Sequence, residues 1–207
     1  AAHLAAGQGR RADNEAVSLL VSRVTRTQLV AVLGNVMLAV PIALLATLLL
    51  VLGGSATPVA KTPHLLAELD PLTSPALFHA AIAGVWLFVS GLVTGYVDNL
   101  AVYERLADRI RRVGWLARVA GATRRDRFAA WMQDNLGGVA GNAFFGFALG
   151  LTGFVGAILG LPLDIRHVTF SAANFAIALG ASDFGLPLAV MAVSLAGILI
   201  IALVNLA

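Results

Sequence analysis

Between Gly160 and Asn174 the chain reads Gly-Leu-Pro-Leu-Asp-Ile-Arg-His-Val-Thr-Phe-Ser-Ala-Ala-Asn, which sets ionisable and hydroxyl side chains between two apolar runs. Asp164 and Arg166 are spaced to pair. His167 follows them, and histidine is the side chain whose ordinary pKa lies closest to neutrality. Thr169, Ser171 and Asn174 add donors and acceptors within the next two helical turns. A charge at bilayer depth costs about 2.5 to 3.5 kcal/mol on insertion scales, so charged groups there pair with one another or face a water-filled cavity. Together with Asp183, and with Asn35 and Asn142 from other apolar segments, these residues define a candidate polar pocket in which His167 is the proton carrier. The competing reading is an interfacial turn. There Asp164 and Arg166 face headgroups, and the Asn and Ser side chains bond backbone at a helix break.

Other chemistries find less support. With no Cys, disulfides, thiolate metal sites and cysteine nucleophiles are excluded by inventory. His3, His64, His79 and His167 are scattered and no two stand at metal-ligand spacing, so neither a zinc nor a di-iron motif is expected and no cofactor is called for. His79, in an apolar helix two turns before Trp86, reads as an interfacial or hydrogen-bonded histidine. Gly7-Gln-Gly9-Arg10 lacks the third Gly and the preceding strand of a dinucleotide loop.

The elements that must hold such a pocket are membrane helices. The 207 residues are 59% hydrophobic and 12% charged, against roughly 45 to 50% and about 25% in soluble domains. A helix rising 1.5 Å per residue needs about 20 apolar residues to cross a hydrocarbon core about 30 Å thick. Leu29 to Leu52, Ala76 to Val97, Leu136 to Leu163 and Phe184 to Leu206 meet that length without full charges. Pro41 kinks the first, Pro162 ends the third and Pro187 sits in the first turn of the fourth. Val168 to Gly180 is too short to cross straight and is expected as a re-entrant half-helix. The fold class is thus an all-α integral membrane helical bundle: four spanning helices, one short re-entrant helix and an amphipathic surface helix.

Orientation follows from arginine, since short loops rich in Lys and Arg stay cytoplasmic. Arg10, Arg11, Arg23 and Arg26 precede the first span, and Arg105, Arg109, Arg111, Arg112, Arg118, Arg124, Arg125 and Arg127 separate the second from the third. The loop from Gly53 to Pro75 carries Lys61 against Glu68 and Asp70 with four prolines, as a translocated loop does. Both ends of the chain are therefore expected in the cytoplasm. In the connector, Tyr103, Leu106, Ile110 and Val113 recur at helical spacing with Arg between them, and Trp115 and Trp131 favour the headgroup level. One amphipathic helix along the membrane surface, broken near Gly121, fits this pattern, as does a helical hairpin packed on other parts of the protein. Its arginines are candidate contacts for anionic lipid or phosphate.

Gly91 and Gly95, Gly137 and Gly141, Gly146 and Gly150, and Gly156 and Gly160 stand four apart, the spacing that lets helix backbones approach in lipid. Leu33-Gly34-Asn35 is echoed by Ala140-Gly141-Asn142, which two parallel repeats of two spans would explain. The expected organisation is one transmembrane domain, with a helix pair over 28–98, a connector over 99–135 and a second pair over 136–207. The opening without Met and the stop inside an apolar run suggest a fragment of a longer protein. Expected partners are membrane lipids, anionic ones above all, and the remainder of the full-length chain, with self-association into a homo-oligomer left open.

Tyr96-Val-Asp98-Asn99-x-x-Val-Tyr103, Gly141-Asn142-x-Phe-Phe-Gly-Phe-x-Leu-Gly150 and the Gly160 to Ser171 stretch resemble the bacterial membrane proteins called site-specific recombinases of the gonococcal type. The resemblance covers roughly Gly91 to Asn174 and implies the C-terminal membrane portion of a bacterial inner-membrane protein. It also implies DNA recombination, which the residues themselves do not support. A tyrosine recombinase needs a Tyr nucleophile with Arg and a His-x-x-Arg pair to stabilise phosphorane charge. The residues three beyond the histidines are Ala6, Ala67, Ile82 and Phe170, and Tyr96 and Tyr103 flank a membrane exit. Ser18 and Ser22 beside Arg23 read as the lead-in to a membrane helix rather than as a serine recombinase site. Nucleic acid is therefore not an expected partner of this portion. The favoured expectation is a membrane scaffold or transporter-like bundle, and the alternative is a membrane-anchored DNA recombination protein.

Overall fold

The computed structural model describes the backbone from residue 2 to residue 207, and the side chains of residue 14, 17–19, 21–23 and 25 onward. Arg10 and Arg11, counted above toward the cytoplasmic face, lie outside the described side chains, as does the Gly7 to Arg10 loop. The elements are α1 (Ala2–Leu52), α2 (Thr57–Ala67), α3 (Ala76–Tyr103), α4 (Leu106–Arg111), α5 (Gly114–Ala120), α6 (Ala122–Leu159), α7 (Val168–Ala181) and α8 (Leu188–Leu206). No strand occurs among the described residues. Among the described residues four stretches are long and apolar enough to cross a membrane: Val17–Leu52, Ala76–Tyr103, Ala122–Leu159 and Leu188–Leu206. They turn large apolar side chains outward, Met37 and Leu38 of α1 among them, which suits a lipid exterior.

The helix ends differ from the expected ones for local reasons. The helix of the third span stops at Leu159, before Pro162, because Gly160 takes the left-handed conformation (φ 63) that side-chain-bearing residues adopt at a cost. The fourth begins at Leu188 instead of Phe184. Phe184 itself has φ 62 in the preceding turn, and Pro187 supplies the carbonyl that accepts the Met191 N–H.

The chain divides into two compact units. The first comprises residues 1–76 and 167–206, hence α1, α2, α7 and α8. Here α7 is the buried element, with Val168, Ser171, Ala172, Phe175, Ala176 and Ala178 inside. It packs on α1 where Gly180 faces Leu44 and Thr47, and a Cβ at Gly180 would stand 2.9 Å from Leu44 Cδ1. Gly197 of α8 lies under the Leu69 carbonyl, with no room for any side chain. The Val168 N–H at the head of α7 donates to Asn205 Oδ1 near the end of α8 at 3.0 Å. The Asp70 carboxylate closes the turn after α2 by accepting from Thr73 Oγ1 (2.7 Å) and the Leu72 N–H (2.9 Å). Those bonds hold its pKa below the ordinary value, the Thr73 hydroxyl contributing most. Ser74 accepts the Ala76 N–H at 3.2 Å, so Ser74-Pro75 forms the N-terminal signal of α3.

The second unit, residues 77–166, holds the body of α3 with α4, α5 and α6. The two long helices close over small residues. Ser90 Oγ donates to the Gly141 carbonyl (2.9 Å), the Gly137 N–H donates to Asp98 Oδ1 (3.0 Å), and Trp86 Nε1 donates to Thr152 Oγ1 (2.9 Å). Of the glycine pairs, Gly137 and Gly141 make this contact, while Gly91, Gly95, Gly146 and Gly150 have no atom within 4 Å of where a Cβ would stand. The connector is not one amphipathic helix. Arg105 is left-handed (φ 49, ψ 50) and separates α3 from α4, an extended Val113 separates α4 from α5, and Gly121 (φ 83) separates α5 from α6. The break near Gly121 stands as read. Beyond it the expected surface segment is the N-terminal part of α6, on which α4 and α5 pack.

Candidate functional site

The polar stretch after α6 is held by backbone and side-chain bonds on both sides of the unit boundary. Past Gly160 the Leu161 N–H returns to the Gly156 carbonyl (3.0 Å) and the Leu163 N–H donates to the Leu161 carbonyl (2.7 Å), and the chain continues without helix to an extended His167. In the second unit, His79 Nε2 donates to the Pro162 carbonyl at 2.9 Å, and the Arg166 N–H reaches the His79 carbonyl at 3.4 Å. A ring nitrogen facing a carbonyl must carry a proton, while the buried Nδ1 of the same ring has no hydrogen-bond partner. Arg166 is buried at 8% exposure. Its Nη1 lies 2.7 Å from Asp164 Oδ2 and 3.1 Å from the Ile165 carbonyl, while Asp164 Oδ1 accepts the Ile165 N–H at 2.7 Å. The Asp164 side chain remains half-exposed, so one end of the ion pair faces outward.

In the first unit His167 precedes α7 with an extended backbone, its carbonyl accepting the Ser171 N–H at 3.0 Å and its ring edge-on to Phe170 at 6.1 Å. Burial lowers its pKa to about 4, so the imidazole is neutral near pH 7. Thr169 Oγ1 and Ser171 Oγ, in the opening turn of α7, are buried and have no hydrogen-bond partner. An unmet buried hydroxyl costs about 1 to 3 kcal/mol. Asn174, one turn on, is half-buried. The remaining members of the expected pocket are exposed. Asp183 is exposed in the turn beyond the other end of α7, about 20 Å along the axis from Thr169 for a 14-residue helix. Asn35 is exposed on α1 and Asn142 on α6. Asn205, which holds the first N–H of α7, belongs to this cluster and is not evident from sequence: the contact spans 37 positions.

The eight connector arginines fall into two groups. Arg109 pairs with Glu104 (2.9 Å), Arg111 with Asp108 (3.1 Å) and Arg125 with Asp126 (2.9 Å). Arg105, Arg112, Arg118, Arg124 and Arg127 are exposed, with no carboxylate partner among the described residues. His64 Nε2 lies 3.2 Å from Glu68 Oε1, an i,i+4 pair, so one of the four histidines does have a carboxylate one helical turn on. Among the described residues no three His, Cys, Asp or Glu side chains gather where a metal ion could sit.

The described residues are helical without strands and include four apolar helices long enough to cross a membrane, which is the class of an α-helical membrane protein. The family model described as site-specific recombinase matches residues 1–207, and the chain belongs to that family. No curated protein and no solved structure matches it.

Proposed function

We propose that this chain is a membrane scaffold or transporter-like bundle that receives a small polar ligand or ion at the segment from Asp164 to Asn174. The observation that carries this reading is the pair of buried, unpartnered hydroxyls, Thr169 Oγ1 and Ser171 Oγ, in the first turn of α7. Buried polar atoms are nearly always satisfied, and those left unmet mark places where a missing partner belongs. Next to them in sequence stand the buried Arg166, the half-exposed Asp164 and the neutral His167, which supply charge, a solvent-facing carboxylate and a hydrogen-bond acceptor. The membrane is the bacterial inner membrane, with both ends of the chain cytoplasmic and α7 dipping in from the far side. Support comes from the connector arginines and from the length of α7, about 21 Å against a core of about 30 Å.

Ser171→Ala tests it. Removing an unmet buried hydroxyl stabilises the empty protein by about 1 kcal/mol or more while abolishing the full-length protein's phenotype. A destabilised Ser171→Ala with normal phenotype contradicts the reading.

The family name favours a second reading, a membrane-anchored DNA recombination protein in which the unpaired arginines contact DNA phosphates. Salt-dependent affinity separates the two. The lipid-facing reading expects Arg-to-Gln changes across Arg105 to Arg127 to weaken binding to DNA and to anionic liposomes equally. Sequence-specific DNA cleavage by this chain would establish the second reading in its place.

A further inference from the structure

A cavity of about 270 Å³ opens in the second unit where α3 ends and α4 packs on the first turns of α6. Its walls are Val102, Arg105, Ala107, Asp108, Arg111, Ala130, Gln133 and Asp134. Their charges are already partly committed. Arg111 pairs with Asp108, and Gln133 Oε1 accepts the Ala107 N–H at 3.2 Å, which fixes α4 against α6. Two opposite charges are left over, the Arg105 guanidinium and the Asp134 carboxylate, neither with an ion-pair partner among the described residues. Arg105 sits there in a left-handed backbone (φ 49), a conformation that strains a side-chain-bearing residue.

We propose that this cavity binds the headgroup of an amine-bearing zwitterionic phospholipid, with the phosphate on Arg105 and the ammonium on Asp134. A purely anionic headgroup would meet Asp134 and Asp108, and a purely cationic ligand would meet Arg105 and Arg111. A ligand with a phosphate and a primary amine two carbons apart answers both unpaired charges at once. That the ligand is a lipid rather than a free phosphoamine follows from where the cavity lies. It sits where α3 ends, lined by the exposed apolar Val102, and the exposed rings of Tyr103 and Trp131 are next in sequence to its lining residues Val102 and Ala130. Aromatic rings of this kind collect at headgroup level. The arginines as a group suggest anionic lipid, but this cavity selects against it because carboxylates share its wall.

The test uses the whole chain, purified in detergent, stripped of lipid and titrated by native mass spectrometry with phosphatidylethanolamine, phosphatidylcholine and phosphatidylglycerol. Phosphatidylethanolamine is expected to bind about tenfold more tightly than either of the others, because choline cannot donate to Asp134 and glycerol carries no cation. Arg105→Gln and Asp134→Asn each remove that preference, while Arg112→Gln, outside the cavity, keeps it. Circular dichroism of each variant establishes that the helices persist. Phosphatidylglycerol binding as well as phosphatidylethanolamine, or a preference unchanged in Asp134→Asn with helices intact, overturns the proposal. Free phosphoethanolamine should not displace the lipid at equal concentration, and displacement would overturn the lipid assignment.

Discussion

His167 illustrates how burial turns an ordinary side chain into a conditional one. Desolvation lowers its pKa to about 4 from 6.5, so between those values the unfolded chain binds a proton that the folded chain refuses. Stability from this source is full above about pH 6.5 and falls as pH drops toward 4, by up to about 1.4 kcal/mol per pH unit. Unfolding measured in detergent at pH 7 and pH 5 should show the loss in the natural chain and a reduced slope in His167→Gln. An identical slope in the variant would assign the effect elsewhere. The same desolvation argues against His167 cycling a proton near neutrality in the state described, and makes neutral His167 an acceptor within the polar segment. The sequence exposed the types of residue in this segment, because Asp164, Arg166, His167 and Ser171 stand out between apolar runs. It did not expose their partners, since Asn205 and His79 come from helices distant in the chain.

At the scale of elements, packing is governed by a few glycines rather than by the motif as such. A Cβ at Gly137 would stand 2.5 Å from the Thr94 carbonyl and collide with the Asp98 carboxylate, and one at Gly141 would collide with Thr94 Oγ1. Backbone cannot yield as a flexible side-chain tip can, so Gly137→Ala should separate α3 from α6 and cost about 1 to 3 kcal/mol. Gly146→Ala and Gly150→Ala have open space and replace the poorest non-proline helix former, so they should be neutral or stabilise by up to about 1 kcal/mol. Detergent unfolding midpoints of the three variants check both halves, and equal losses at Gly137 and Gly146 would refute the argument. Spacing alone marked all four glycine pairs alike, because it carries no information on which helix face meets a neighbour. The spans themselves were legible, since crossing length and lack of charge are local properties. The connector was not, because the interruption at Arg105 rests on a left-handed residue that no propensity marks.

For the molecule as a whole, the decisive question is whether α7 returns to the side it entered from. If α1, α3, α6 and α8 cross and α7 does not, the number of crossings is even and both ends share a side; if α7 also crosses, the C-terminus moves to the far side. Length argues for the first, because 14 residues reach only about 21 Å and a hydrocarbon core is about 30 Å thick. Burial agrees: α7 packs among α1, α2 and α8, and its opening turn carries polar atoms that lipid would not accept. The absence of Cys from the chain makes the test direct. Single cysteines at Asp164 and Asp183, the polar residues before and after α7, should react with an impermeant maleimide from the same face as one at Lys61. One at Arg118 should react only from the other. Labelling of Asp164→Cys and Asp183→Cys from opposite faces would make α7 a fifth crossing and put the C-terminus on the side opposite the N-terminus. The polar segment would then lie on a through-going helix, as a continuous pore requires, rather than at the mouth of a closed dip.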